Sequence, residues 1–362
     1  MKKLKVLYLI LPIIIFQFAC SKSDEKAPQF GEDFDREKMD LFFLTIEEKN
    51  LGMGSISISK NGQLDYQASY GKSDISNGIS ATAQTKYRIA SITKTFTASI
   101  IMQLIEENKL ALNTKLDNFF TEIPNSSSIT IENLLRHRSG LFNYTNTPYS
   151  SEIVTQPATQ EELIALFIEN GTVFQPDEKT EYSNTNYVLL SFIIEDLDEK
   201  SYSNTLEDRI INPLALSNTY NGGLIDTTNE EALSYNRQSD DWILASETNL
   251  TLAQGAGSIV SNPNDLNTFY QALFDGKVVS ESSLQEMKKM VDGVGIGLFP
   301  IPFNDKNAFG HSGQIDGFQS ISMHFPDENV TISYTFNGVS MPSNDVLIGA
   351  LSIYSNLEYT LP

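Results

Sequence analysis

The sequence predicts an α+β fold in which an antiparallel sheet is flanked by helices and a mainly helical subdomain is inserted between the two parts of the sheet. Apolar and polar residues alternate near both ends of the chain, at 55–70 and 317–336, which is typical of strands. The stretch between them is rich in helical spacing and short loops. Because strand segments from both ends need partners, we expect them to meet in one sheet.

The N-terminal part of this domain begins with a helix and a hairpin. Four apolar residues share helical spacing: Met39, Phe42, Phe43 and Ile46. Residues 55–59 alternate isoleucine with serine, Asn61-Gly62 favours a tight turn, and 64–70 continues the pattern as a second strand. An amphipathic helix follows over 93–108, with its apolar residues on one face.

The rest of the chain supplies the insert and the returning strands. Short helices and loops dominate 109–250, with an apolar helix at about 185–197 and another after Pro263 at 264–274. Two strands, 317–325 and 330–336, are joined by a turn, and a last helix covers about 345–356. The predicted boundaries are therefore a domain of 37–362, made of a sheet subdomain at about 37–105 and 250–362 and a helical insert at about 106–249.

Composition argues against two classes of function. The chain has 362 residues, 40% of them hydrophobic, which is enough for a substantial core. Its formal net charge is −21, whereas nucleic-acid binding needs clustered Lys and Arg, so no nucleic acid is expected as a partner. Three histidines and one cysteine leave almost no ligands for a structural zinc site.

The first residues resemble an export signal. An apolar run at 6–18 follows three lysines, Lys2, Lys3 and Lys5. This run is too short for a transmembrane helix. Ala19-Cys20 at the end of this run resembles the lipobox of bacterial lipoproteins, in which the cysteine is lipidated. We therefore expect a signal peptide at 1–19, a lipid anchor and tether at 20–36, and a lipoprotein anchored to a membrane of the bacterial cell envelope. The alternative is ordinary cleavage near Ala19, with Cys20 as a bystander.

Ser91-Ile92-Thr93-Lys94 is the first pattern that carries chemistry. Residues i and i+3 of a helix share a face, so the Lys94 amine is expected beside the Ser91 hydroxyl. A serine hydroxyl needs a nearby base to become a good nucleophile, and burial can turn a lysine into that base. The pattern Ser-x-x-Lys begins at four positions: Ser23, Ser57, Ser69 and Ser91. Only Ser91 stands at the start of a long amphipathic helix.

Two further patterns follow in order. Tyr182-Ser183-Asn184 combines a hydroxyl that can relay a proton with an amide that can bind a carbonyl, although Tyr-x-Asn also begins at Tyr144, Tyr202 and Tyr354. His311-Ser312-Gly313 is the only His-x-Gly, and its glycine would let a ligand approach an edge strand. The alternative for a Tyr-x-Asn match is a half-buried aromatic beside a turn. For His311 the alternative is a histidine packed on a strand, as expected for His324, and His137 could be a structural helix-end residue.

These patterns and their flanks resemble the serine β-lactamase and penicillin-binding-protein superfamily, in particular its class C and D-Ala-D-Ala carboxypeptidase branch. The resemblance covers about residues 37–356. The segments that carry it are 89–97, 134–141, 174–176, 182–187, 255–258 and 310–313. It implies a β-lactamase/transpeptidase-like fold and a serine hydrolase without a metal or organic cofactor.

The resemblance also implies a role for each site residue. Ser91 would form an acyl-enzyme, and Lys94 and Tyr182 would handle its proton, with the general base left open between them. Asn184 would hold the substrate amide, and His311 and Gly313 would also contact the substrate. The backbone N–H groups of Ser91 and Gln314 would form an oxyanion hole. The expected partner is a small-molecule or peptide substrate, with amide or ester bonds of D-amino-acid peptides favoured. The alternatives are a small-ester esterase, a β-lactamase, or an inactive surface-displayed binding lipoprotein, and the oligomeric state is not predicted.

Two positions depart from the pattern of the resembling branch. Asp177 stands where the branch has glycine, and we expect it to keep a left-handed backbone, which aspartate tolerates. His311 stands where many β-lactamases have lysine. A histidine with an ordinary pKa of about 6.5 would lose its charge above neutral pH, so carboxylate ligands are expected to bind better as pH falls through that value.

Overall fold

The structure is a computed structural model that describes residues 30–147 and 154–360. Cys20 and the expected signal peptide therefore lie outside the described residues. The strands of the described residues are β1 (Gly52–Lys60), β2 (Gln63–Tyr70), β3 (Lys72–Asp74), β4 (Ile79–Ser80), β5 (Tyr87–Arg88), β6 (Tyr220–Asn221), β7 (Tyr235–Gln238), β8 (Asp241–Leu244), β9 (Ile259–Ser261), β10 (Phe299–Pro300), β11 (Phe309–Ile315), β12 (Phe318–Phe325) and β13 (Val330–Val339).

Six of these strands form one antiparallel sheet, in the order β10-β11-β12-β13-β1-β2. β1 and β13 are neighbours and pair Ile56 with Tyr334 and Ile58 with Ile332. Because β1 and β13 are far apart in the chain, this pairing closes the sheet with strands from both ends. The predicted α+β fold with an antiparallel sheet is confirmed.

The predicted hairpin between β1 and β2 is present. Asn61 and Gly62 both have positive φ, 54° and 71°, which is the requirement of a type I′ turn. Asparagine and glycine tolerate this backbone better than other residues, so the local sequence sets the register of the hairpin.

Helices cover both faces of the sheet. The helices of the described residues are α1 (Arg36–Glu48), α2 (Thr93–Glu106), α3 (Ile131–Leu135), α4 (Gln160–Asn170), α5 (Asn184–Asp198), α6 (Tyr202–Leu206), α7 (Asn212–Leu214), α8 (Pro263–Phe274), α9 (Glu281–Lys288) and α10 (Ser343–Tyr354). The five helices predicted from apolar spacing are all present, as α1, α2, α5, α8 and α10, within three residues of their predicted ends. No helix within the described ranges is long and apolar enough to cross a membrane.

The core divides into two clusters that lie on opposite sides of the sheet. One cluster packs α1 and α10 on the sheet and contains Phe42, Tyr334 and Val346. The other surrounds α2 and α5 and includes Phe96 and Phe269, whose rings stack with centroids 3.7 Å apart. Because α2 is buried along almost its whole length, its first turn is held firmly beneath the cleft described below.

Candidate active site

Ser91 lies in a short 3₁₀ turn, Ala90–Ile92, that leads directly into α2. Ala90 has φ 48°, a left-handed backbone that costs an alanine on the order of 1 kcal/mol and persists only where the surroundings hold it. The turn packs against β11 and β12, and it brings the Ser91 side chain to the wall of a cleft.

Lys94 is fully buried one turn after Ser91. Its Nζ lies 3.0 Å from Ser91 Oγ, 2.7 Å from Asn184 Oδ1 and 2.7 Å from the carbonyl oxygen of Ala256. Burial lowers the pKa of the Lys94 amine well below its ordinary range. A neutral amine has two N–H groups for the two carbonyl-type oxygens and one lone pair, which then faces the Ser91 hydroxyl.

Tyr182 approaches Ser91 from the other side. Its hydroxyl donates a hydrogen bond of 2.8 Å to Ser91 Oγ, and its ring lies over Lys94 Nζ at 4.9 Å from the centroid. Desolvation raises the pKa of the Tyr182 hydroxyl far above its usual value, so the phenol keeps its proton. The structure therefore places Ser91 Oγ between a buried amine and a protonated phenol.

The rival motifs do not reach this site. The Tyr202 hydroxyl bonds to Thr97 and the Tyr354 hydroxyl to Asp65. The Tyr144 hydroxyl donates to the carbonyl oxygen of Leu252. Among the serines, Ser57 on β1 donates to Asn264 Oδ1 on α8. Of the four Ser-x-x-Lys and four Tyr-x-Asn matches, the structure brings the Ser91 and Tyr182 matches together. The position of Ser91 at a helix start and the residues that flank Tyr182 had already selected these two.

Asn184, the first residue of α5, is held from three directions. Its Oδ1 accepts from Lys94, its backbone N–H donates to Asn143 Oδ1 at 3.0 Å, and its Nδ2 donates to Thr145 Oγ1 at 3.0 Å. The amide has a second N–H that it can offer to a substrate in the cleft. Asn143, Thr145 and the Ala256 carbonyl were missed by sequence reasoning, because backbone carbonyls and single polar loop residues leave no pattern.

Ala256 can reach Lys94 because its neighbour is a glycine. A Cβ on Gly255 would lie 2.7 Å from Ser191 Cβ and 2.9 Å from the carbonyl oxygen of Tyr187, both on α5. Such contacts are too close for any residue other than glycine. Glycine at the first position of segment 255–258 therefore allows the Ala256 carbonyl oxygen to reach the Lys94 amine.

β11 forms the opposite wall of the cleft. Only Phe309 and Gly310 pair with β10, so the part of β11 from His311 onward is an open edge facing the Ser91 turn. A Cβ on Gly313 would overlap the Ile89 carbonyl oxygen and lie 2.9 Å from Ser91 N, so only glycine allows this approach. Gln314 lines the cleft beside Ser91, in a position that suits its expected backbone role.

His311 is buried and has a fixed tautomer. Its Nδ1 lies 2.6 Å from the Ser312 carbonyl oxygen, which can only accept, so the proton is on Nδ1. Nε2 is buried without a hydrogen-bond partner among the described residues. Burial, together with the nearby Lys94, lowers the pKa of His311 to about 3. The expectation that His311 titrates at about 6.5 is therefore wrong, because desolvation outweighs the Ser312 hydrogen bond.

The other two histidines have structural environments. His324 hydrogen-bonds Thr331 Oγ1 at 2.8 Å and stacks on Phe274, with ring centroids 4.4 Å apart. His137 follows α3 with a left-handed backbone and accepts from the Ser183 N–H at 3.2 Å. Its ring lies 4.4 Å from that of Tyr182, so this helix-end residue also supports the tyrosine.

Asp177 keeps the left-handed backbone predicted for it, with φ 69°. Arg138 Nε donates to its carboxylate at 2.7 Å, and the same arginine reaches Thr180 at 3.1 Å. This turn leads into the segment that carries Tyr182. Aspartate therefore replaces the glycine of the resembling branch without loss of the turn.

The cleft has two compartments that meet at Ser91, Asn184 and Gln314. The larger, of about 680 Å³, lies along β11 and β12 and includes Phe299 and His311. The smaller, of about 290 Å³, has largely apolar walls that include Leu252. Within residues 30–147 and 154–360, no three His, Cys, Asp or Glu side chains lie close enough together to hold a metal ion.

Comparison with known proteins gives a family for the chain. The family model described as Beta-lactamase matches residues 38–351. The curated relative "Penicillin-binding protein 4*" of Bacillus subtilis (strain 168) is 27% identical over 325 residues, which cover 83% of this chain and 72% of that protein.

Two solved structures at 25% identity or more are similar over most of the chain. The D-amino acid amidase from Ochrobactrum anthropi SV3, complexed with D-phenylalanine, has a TM-score of 0.80 at 25% identity and covers 88% of this chain and 99% of that one. The D-stereospecific amidohydrolase from Streptomyces sp. has a TM-score of 0.76 at 26% identity and covers 88% and 98%.

Proposed function

Because this chain belongs to the beta-lactamase family, we propose that it is a serine hydrolase that forms an acyl-enzyme on Ser91. Its substrates would be amide or ester bonds of D-amino-acid peptides or related small molecules. The observation that carries the proposal is the contact of Ser91 Oγ with Lys94 Nζ at 3.0 Å and with the Tyr182 hydroxyl at 2.8 Å. A nucleophile, a base and a proton donor within hydrogen-bonding distance are the parts that acyl transfer needs.

In the first step, neutral Lys94 takes the proton of Ser91 as Oγ bonds to the substrate carbonyl carbon. The carbonyl oxygen becomes an oxyanion, which the backbone N–H groups of Ser91 and Gln314 would stabilise. The amide of Asn184, oriented by Asn143 and Thr145, would hold the substrate. Preorganised donors of this kind need no rearrangement when charge develops.

In the second step, the bond to the leaving group breaks and that group takes up a proton. Tyr182 is placed to pass it, because the phenol remains protonated and its hydroxyl touches Ser91 Oγ. Lys94, now protonated, restores the proton of Tyr182. Water then attacks the acyl carbon with Lys94 as base, and Ser91 is released with its proton.

The likeness to an amidase and an amidohydrolase named for D-amino acids supports D-configured amides as substrates. The test combines active-site labelling with turnover. We expect a fluorescent phosphonate to label one site, which mass spectrometry places on Ser91, and D-phenylalanine amide to be hydrolysed faster than its L-enantiomer. Labelling of another serine would refute the acyl-enzyme, and preference for simple esters, or for a penicillin, would favour the esterase or β-lactamase alternative. No labelling and no turnover would favour a binding lipoprotein.

We also propose that Cys20 carries a lipid that anchors the protein in the bacterial envelope. The support is in the sequence, where the only cysteine ends the apolar signal segment. A thiol in this position is otherwise free to form unwanted disulfides after export.

Replacing Cys20 by alanine is expected to move the protein from the membrane fraction to the soluble envelope fraction, because the acyl chains provide the membrane affinity. The measurement is fractionation followed by immunoblotting, with Ser21→Ala as a control that should stay with the membrane. Membrane association that is unchanged in the cysteine variant would contradict the anchor.

A further inference from the structure

The described residues of the cleft walls carry no formally charged side chain. Among the described residues that line either compartment, none is Lys, Arg, Asp or Glu. The segment 148–153, next to the smaller compartment in sequence, contains no Lys or Arg either. A free carboxylate that entered the cleft would therefore lose water without gaining a cationic partner, which is an unfavourable exchange.

His311 does not supply the missing charge. Its single proton is held by the Ser312 carbonyl oxygen at 2.6 Å, so the imidazole offers the cleft neither a charge nor a free N–H. The unpartnered Nε2 keeps a lone pair. Because this atom is itself buried, His311 presents a neutral ring to the cleft and no cationic group.

The cations behind the cleft are already compensated. The buried Arg88 guanidinium lies 2.5 Å from the Glu247 carboxylate and 3.2 Å from that of Asp316, so its one positive charge is paired with two carboxylates. The Lys94 amine is fully buried and donates to the Asn184 and Ala256 oxygens, and burial lowers its pKa well below its ordinary range. The formal net charge of −21 adds a long-range field that disfavours anionic substrates.

We propose that the cleft selects substrates whose leaving group is neutral, such as a primary amide, a carboxamide-ended peptide or an ester, over those that end in a free carboxylate. The inference rests on the proposed acyl-enzyme function and narrows it. It separates this protein from carboxypeptidase action, in which the leaving residue carries a carboxylate.

The test uses two substrates that differ in one group, N-acetyl-D-Ala-D-Ala and its C-terminal amide. With the purified full-length chain at pH 7 and low salt, we expect kcat/KM to be at least about tenfold higher for the amide, since a charge without a partner in a low-dielectric site is strongly disfavoured. Protection against phosphonate labelling by N-acetyl-D-Ala-D-Ala and by its C-terminal amide gives a second measure of the same preference that needs no turnover.

Gln319 offers a matched pair of charge variants. It lies on β12, pairs with Gln314 and lines the larger compartment, without a role in the proposed chemistry. Gln319→Lys is expected to raise kcat/KM for the carboxylate substrate about tenfold and leave the amide nearly unchanged. Gln319→Glu should lower the carboxylate value further, and both effects should shrink as salt is added.

The outcomes separate the two proposals. Equal use of both substrates, or preference for the carboxylate, would overturn the neutral-leaving-group inference and leave the acyl-enzyme intact. If both substrates are inert, preferential protection by N-acetyl-D-Ala-D-Ala would overturn the inference and preferential protection by its amide would support it. Absence of phosphonate labelling at Ser91 would refute the proposed function, and the inference would fail with it.

Discussion

Replacing Ser91 by alanine is expected to reduce turnover by at least about a thousandfold, because the change removes the atom that bonds to the substrate. In the native protein, Lys94 Nζ and the Tyr182 hydroxyl both contact Ser91 Oγ. In the alanine variant neither group has a nucleophile to exchange a proton with. The measurement is kcat/KM for D-phenylalanine amide, together with mass-spectrometric labelling by a phosphonate. Residual activity would come only from binding and from the oxyanion donors.

Ser343→Ala is the matched control for this change. Ser343 also lines the larger compartment, at the start of α10, but it lies outside the Lys94 and Tyr182 cluster. We expect it to keep near-native activity, and both variants to keep the thermal midpoint of the native protein. Near-native turnover by the Ser91 variant, or equal losses in the two variants, would remove Ser91 from the mechanism.

The sheet and the three motifs could be predicted because local patterns encode them. The strand alternation of β1, β12 and β13 and the apolar faces of α2 and α5 are visible in single segments. β11 was not predicted as a complete strand, since Phe309–Ile315 contains two glycines and lacks apolar alternation. Those glycines serve close approach to neighbouring backbone, a tertiary requirement that no local pattern expresses.

The electrostatics of the site could not be predicted from the sequence. The pKa of His311 depends on its burial and on Lys94, two features that only the folded chain brings together. The same holds for Lys94, because its complete burial, which lowers the pKa of the amine, is visible only in the folded chain. Spacing places these residues near one another, but the desolvation that each side chain undergoes on folding dominates its pKa shift.

Replacing Lys94 by methionine is expected to cost about a hundredfold to ten-thousandfold in the rate of acylation, the usual range for loss of a general base. Methionine has a similar volume and no charge, so the buried site should stay filled. Tyr182→Phe is the comparison that decides the base, since it removes only a protonated hydroxyl and is expected to cost less. A larger loss in the tyrosine variant would assign the base to Tyr182 instead.

The pH profile gives an independent test of this assignment. A lysine with its ordinary pKa of about 10.4 would be mostly protonated at neutral pH, and the acylation rate would rise nearly tenfold per pH unit between about 7 and 9. Burial lowers the pKa of Lys94 well below this ordinary value, so we expect the neutral base to be present across that range and the rate to be nearly flat. As pH falls through the lowered pKa, the amine takes up a proton and the rate should decline. Because His311 stays neutral until a pH of about 3, a decline above pH 5 in single-turnover acylation belongs to Lys94. A steep rise between pH 7 and 9 would show that the amine is charged in the resting enzyme, and the Lys94 base would then be excluded.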